Sequence, residues 1–168
     1  MQPVLGWGCA RNTTGTCQVG GPYWWISAIL DNTNTHVFYW SSAINASTSQ
    51  AIQGKIFWAD PLSDCSITNK GFKIIAKDNS IPSSTTLIWC DDSNYTDGYA
   101  GVLEGKNVDS CNKLPNAVNI NFTSIAATTN NGASITSWTG QTYSWTPDCG
   151  PSASYDSGAN KLTLRWHN

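Results

Sequence analysis

The sequence predicts an all-β fold: a single-domain antiparallel β-sandwich or barrel of roughly ten short strands, braced by disulfides. Three observations lead there. Trp, Tyr, Thr, Val and Ile are plentiful, whereas 168 residues contain one Glu, two Arg, one Met and eight Leu; that mixture favours strands over helices. Short apolar runs are separated by turn signals such as Asp31-Asn32-Thr33-Asn34, Asp60-Pro61, Asp78-Asn79-Ser80, Asn130-Asn131-Gly132 and Ser157-Gly158, at strand-like spacing. The six cysteines, Cys9, Cys17, Cys65, Cys90, Cys111 and Cys149, are even in number and contain no C-x-x-C pair. They suit a disulfide framework rather than a metal site.

Along the chain, the expected strands are residues 23–30, 35–44, 53–59, 72–77, 85–90, 101–103, 117–126, 133–139, 142–145 and 161–166. The first two form a hairpin across the polar loop Asp31-Asn32-Thr33-Asn34. In the second of them His36, Phe38 and Trp40 share one face and Val37 and Tyr39 the other. Large rings on both faces predict a central strand, buried on both sides. A further hairpin over residues 133–145 turns at Gly140-Gln141 and pairs Trp138 with Tyr143. At the end, Leu162, Leu164 and Trp166 alternate with Thr163, Arg165 and His167, so the former face inward and the latter outward. With no linker, repeat or charge run, residues 1–168 are expected to form one secreted β domain.

The charge balance excludes several partners. Nine Lys+Arg against 11 Asp+Glu give a net charge of −2, and charged residues are 12% of the chain. A near-neutral chain with two Arg is poorly suited to neutralise a row of phosphates, so nucleic acid is not an expected partner. No polybasic patch or long apolar run supports membrane insertion. Polarity comes instead from 53 Ser, Thr and Asn residues.

Four N-x-[ST] sequons, at Asn12, Asn45, Asn94 and Asn121, join the cysteines in pointing to an oxidising, extracellular compartment and a glycoprotein. Met1-Gln2-Pro3-Val4 lacks an apolar leader, and the chain is expected to be a mature secreted form. Six cysteines allow 15 pairings. Spacing suggests Cys9 with Cys17, Cys90 with Cys111, and Cys65 with Cys149.

Little in the sequence announces catalysis. One Glu and ten Asp show no paired carboxylates at glycosidase spacing. With the cysteines paired there is no thiolate, and no G-x-S-x-G elbow, H-E-x-x-H helix, P-loop or G-x-G-x-x-G turn occurs. No catalytic residue, metal ligand or cofactor is assigned. The Asp-rich stretch Asp91-Asp92-Ser93-Asn94-Tyr95-Thr96-Asp97 misses the spacing of an EF-hand loop; it reads as a solvated Asx-rich turn, with calcium binding by its oxygen ligands as the alternative.

Nine Trp and six Tyr in 168 residues are the remaining signal. Sugars present apolar C–H faces rimmed by hydroxyls, and their sites combine aromatic platforms with Asn, Asp, Ser and Thr side chains. Trp24, Trp25, Trp40, Trp58 and Trp89 lie in apolar runs and are expected in the core, and Trp7, between Gly6 and Gly8, reads as a loop-borne ring. Trp138, Tyr143 and Trp145 have polar neighbours, and with Asp92, Asn94 and Tyr95 they are the expected ligand-binding residues. In composition alone the chain resembles small secreted fungal or invertebrate lectins, effectors and allergens. The expected partners are glycans or glycoproteins, with self-association as a further expectation because Lys gatekeepers are few along the strand edges. Two other readings follow: a self-assembling extracellular structural glycoprotein, and a cystine-braced inhibitor or effector presenting residues 12–16 or 91–109.

Overall fold

The structure, a computed structural model, describes residues 1–11, 16–32, 37–46, 51–91, 101, 108–116, 119–129, 131–140 and 146–167. Among these residues the fold is all-β: ten strands in three antiparallel sheets, with one 3₁₀ turn at Cys111–Lys113. The chain divides into two compact units, Met1–Asn94 and Tyr95–Asn168, and each holds its own sheets and disulfides.

In the first unit, β1 (Gln2–Arg11), β2 (Cys17–Asn32), β3 (Val37–Trp40) and β4 (Ile44–Asn45) form one sheet. The second comprises β5 (Ile52–Ala59), β6 (Gly71–Asp78) and β7 (Ser84–Trp89). β2 packs on β6 and β7, and β1 on β5 and β6, which makes a two-sheet sandwich. The core runs along the two central strands. β2 is buried at every position from Trp25 to Leu30, and β6 contributes Ile74 and Ala76. An uninterrupted buried run belongs to a strand covered on both faces.

That central place goes to β2 and not to residues 35–44. β3 sits at the sheet edge, beside β2 alone, and Val37, Phe38 and Tyr39 are exposed. The reason is β1, which sequence reasoning missed. It pairs with β2 from Gln2↔Ile29 to Arg11↔Cys17 and occupies the side that would otherwise be open. Trp7 therefore lies on a strand and not in a loop, directly across from Trp24, with ring centroids 5.4 Å apart.

A buried hydroxyl cluster joins the two sheets. The Ser27 hydroxyl donates to the Ser41 carbonyl (3.0 Å), the Ala28 amide donates to the Ser41 hydroxyl (2.8 Å), and the Thr85 hydroxyl donates to the Ser42 carbonyl (2.7 Å). Thr85 also bonds the Ser41 hydroxyl. Such groups are tolerated in a core because each finds a partner.

The second sheet has clean two-sided patterning, fixed by the registers β5–β6 and β6–β7. Ile56, Ile74 and Leu87 share the inner face, as do Trp58, Phe72 and Trp89. The outer face carries Gln53, Lys55 and Phe57 on β5, Lys73, Ile75 and Lys77 on β6, and Ser84, Thr86 and Ile88 on β7. None of these nine is buried. The inner face is not fully covered at its β5 edge. Trp58, expected in the core, is 49% exposed, because an edge strand has a neighbour on one side only.

The second unit contains β8 (Asn119–Thr123), β9 (Ser152–Asp156) and β10 (Lys161–Arg165). The order is β8-β10-β9, so the last strand is central. Leu162, Leu164 and Trp166 are buried as expected, and the Trp166 indole donates to the Pro115 carbonyl at 3.1 Å. Thr163 departs from the outward assignment. It is buried and its hydroxyl donates to Asn121 Oδ1 at 2.9 Å. Residues 133–139 do not form a strand. They contribute an isolated bridge, Thr128↔Ser134, because this Ser- and Thr-rich segment closes on its own turn, with Ala133 O accepting from Thr129 N and Thr129 O from Gly132 N (both 2.9 Å). Residues 142–145 lie outside the described residues.

The disulfides are Cys9–Cys17, Cys65–Cys90 and Cys111–Cys149. The first agrees with spacing, while Cys90–Cys111 and Cys65–Cys149 do not form. The end of β7 delivers Cys90 to the turn around Cys65, which is closed by Leu62 N to Asn69 O and Asn69 N to Cys65 O (both 2.8 Å). Sheet pairing, invisible in linear spacing, sets the partner. Cys149 is held beside β10 by the His167 amide, which donates to its carbonyl at 2.8 Å, and meets Cys111 within the same unit.

Candidate functional site

Of the six residues expected to bind ligand, Trp138 is the one the structure describes. It is half-buried in an irregular segment; Tyr143, Trp145, Asp92, Asn94 and Tyr95 lie outside the described residues. So do the sequon asparagines Asn12 and Asn94, whereas Asn45 on β4 and Asn121 on β8 are exposed. Of the expected cystine-braced loops, Thr16, Asp91, Gly101, Val108 and Asp109 are described.

Among the described residues two indoles do face solvent. Trp7 is 43% and Trp58 49% exposed, and both stand on strands of the first unit. Trp58 lies in register with Phe72 and Trp89, three rings across three strands. Trp89 is met by Tyr39 at a centroid distance of 5.4 Å, and its indole donates to Asp91 Oδ2 at 3.2 Å.

The second unit holds a cleft of about 360 Å³. Its polar lining is Thr128, Ser134, Thr136, Ser157, Asn160 and Tyr155; its apolar lining is Ile125, Ala126, Ala127 and Ile135. The cleft is built by two local devices. One is the bridge Thr128↔Ser134, reinforced by the Ile135 amide donating to the Ala127 carbonyl at 2.9 Å. The other is the β9–β10 turn, which ends with Asn160 in the left-handed region at φ 46, a conformation Asn tolerates better than most residues.

That backbone geometry turns the Asn160 amide across the cleft. Its Nδ2 donates to the Ile125 carbonyl (2.9 Å), and its Oδ1 accepts from the Tyr155 hydroxyl (3.1 Å). The two bonds fix the amide's orientation and tie the two walls together. With its proton committed to Asn160, the Tyr155 oxygen meets a ligand as an acceptor. Tyr155 itself is placed by pairing with buried Leu162, whose other partner is Phe122. The ring thus belongs to a sheet and not to a loop.

Among the described residues no charged side chain lines this cleft. Hydroxyls, one amide and one phenol can exchange neutral hydrogen bonds, and Tyr155 with two isoleucines offers apolar surface. General acid–base or nucleophilic chemistry has no evident carrier among these lining residues. Among the described residues no group of three or more His, Cys, Asp or Glu gathers at metal-binding distance, and no helix is long and apolar enough to cross a membrane.

Sequence reasoning missed Tyr155 and Asn160. The turn signal Ser157-Gly158 lies between them, but nothing in the sequence shows that Asn160 folds back. No family model, curated protein or solved structure matches this chain.

Proposed function

We propose that this is a secreted, glycosylated carbohydrate-binding protein, lectin-like, that takes neutral glycans in the cleft beside Tyr155. The observation that carries the reading is the lining: one tyrosine ring, four Ser or Thr hydroxyls and one amide, without a charge. Sugars need that combination, an apolar surface for C–H faces and neutral partners for hydroxyls. Three disulfides are compatible with an extracellular setting, and the exposure of the sequon residues Asn45 and Asn121 supports the glycosylated part of the reading.

Titration with neutral oligosaccharides, followed by intrinsic fluorescence and by a glycan array, tests the proposal. Binding is expected for the intact protein and is expected to be lost on Tyr155→Ala. No response across plant, fungal and animal glycans would overturn it.

A second reading, a self-assembling structural glycoprotein, draws on a different observation. The edge strand β5 exposes Ile56, Phe57 and Trp58 in succession, and edge strand β3 exposes Val37, Phe38 and Tyr39. Exposed apolar edges invite strand addition. Light scattering at high concentration separates the readings, since a strict monomer removes the second and leaves the first standing.

A further inference from the structure

We infer that the outer face of the β5–β6–β7 sheet binds an anionic polysaccharide, a site and ligand class separate from the neutral cleft. The face carries Lys55, Lys73 and Lys77 and no carboxylate. Lys73 and Lys77 lie on one strand. Lys55 stands opposite Ile75 on the neighbouring strand, diagonal to both. Diagonal neighbours are about 7–8 Å apart, so Lys55 can share one anionic group with Lys73 and another with Lys77.

Three considerations favour a ligand over simple solvation. Among the described residues the one ion pair is Lys113 with Asp109, so no described acidic residue pairs with these lysines. Edge protection explains Lys55, which is on edge strand β5, but not Lys73 and Lys77, which lie on the central strand β6. The chain as a whole is net negative, at −2, so three positive charges on one face, with no acidic partner among the described residues, are a local concentration and not an average property.

Charge complementarity therefore selects a polyanion. Its remaining chemistry selects a sugar polymer. Gln53, Ser84 and Thr86 complete the face with directional, neutral hydrogen-bonding groups suited to hydroxyls, and Phe57 adds a ring for C–H surface. A lipid surface would draw on the lysines and leave the neutral hydrogen-bonding groups unused.

The test compares dextran sulfate, unsulfated dextran of equal length, and phosphatidylserine vesicles as ligands for the full chain. Retention on dextran sulfate at low salt, released by raised salt, is expected. The triple variant Lys55→Gln, Lys73→Gln, Lys77→Gln is expected to bind about tenfold or more weakly. Lys161→Gln with Arg165→Gln, on the other unit, is expected to leave binding intact. Circular dichroism of the triple variant confirms that it is folded; if it is not, Lys73→Gln and Lys77→Gln singly carry the same comparison. Equal binding to both dextrans, undiminished binding by the folded Gln variants, or binding to the vesicles without dextran sulfate would overturn the inference. Failure of the neutral-glycan titration leaves this result unaffected, since the probes and residues differ.

Discussion

The Trp25 indole donates to the Gly8 carbonyl at 2.6 Å, across seventeen residues of chain. The ring lies over the backbone of β1 and β2, and a Cβ at Gly20 would collide with its Nε1 and one at Gly6 with its Cζ2. Gly20 also has φ +91, and Gly8 has φ +79 with open space around its Cβ position. The three glycines thus separate two effects. Gly8→Ala meets backbone strain alone and is expected to cost roughly 1–2 kcal/mol. Gly6→Ala meets the ring alone, at roughly 1–3 kcal/mol. Gly20→Ala meets both and is expected to be the most damaging. Urea unfolding of the three variants gives the order, and Gly8→Ala proving worst would contradict the packing of Trp25.

The hydroxyl cluster between the sheets yields a second prediction. Thr85→Val keeps shape and removes the donor to the Ser42 carbonyl, in a site where Thr85 is 5% exposed. A buried group left without its partner costs about 1–3 kcal/mol. Thr85→Ser, which keeps the hydroxyl, is expected to lose less. Denaturation midpoints at unchanged slope provide the measurement, and equal losses for Val and Ser would assign the effect to packing.

How far the sequence revealed this protein can be argued strand by strand. β2, β6, β7 and β10 were readable because their apolar residues are contiguous or alternate cleanly. β1 was not: Pro3, Gly6 and Gly8 look like loop residues, and the need for glycine there comes from Trp25, a tertiary cause. β9, Ser152–Asp156, carries a single ring and gives almost no periodic signal. The pattern of residues 53–59 shows a strand and suggests a buried Trp58, but cannot show that β5 is an edge, where the ring is 49% exposed. Cysteine spacing failed for the two longer bridges because partners are set by where strands end. At the cleft, Tyr155 and Asn160 are brought together by one left-handed residue, a backbone choice that composition does not encode.

The disulfides should differ in what they contribute. The bridges Cys65–Cys90 and Cys111–Cys149 span 25 and 38 residues, against 8 for Cys9–Cys17. Loop-closure entropy then assigns about 3.5 and about 4 kcal/mol to the longer two and about 2.5 kcal/mol to the short one. Paired Cys→Ser variants are expected to follow that order in chemical denaturation. A non-reducing peptide map checks the connectivity itself, and a peptide linking Cys90 to Cys111 would refute it.

Asn160 and Tyr155 allow the cleft's architecture to be separated from its use. Asn160→Ala loses the bonds to Ile125 and Tyr155 and also places alanine in the left-handed region. The two losses together are expected to cost about 2–4 kcal/mol. Asn160→Gly restores the backbone but not the bonds and should recover about 1 kcal/mol of that. Tyr155→Phe removes the hydroxyl and keeps the ring, so neutral-glycan affinity is expected to fall severalfold, whereas Tyr155→Ala is expected to abolish it. Thermal unfolding of each variant, run beside the oligosaccharide titration, distinguishes a weakened wall from a lost contact. If Tyr155→Ala bound as tightly as the parent while Asn160→Ala unfolded early, the turn would be a structural brace and the ring no part of a sugar site.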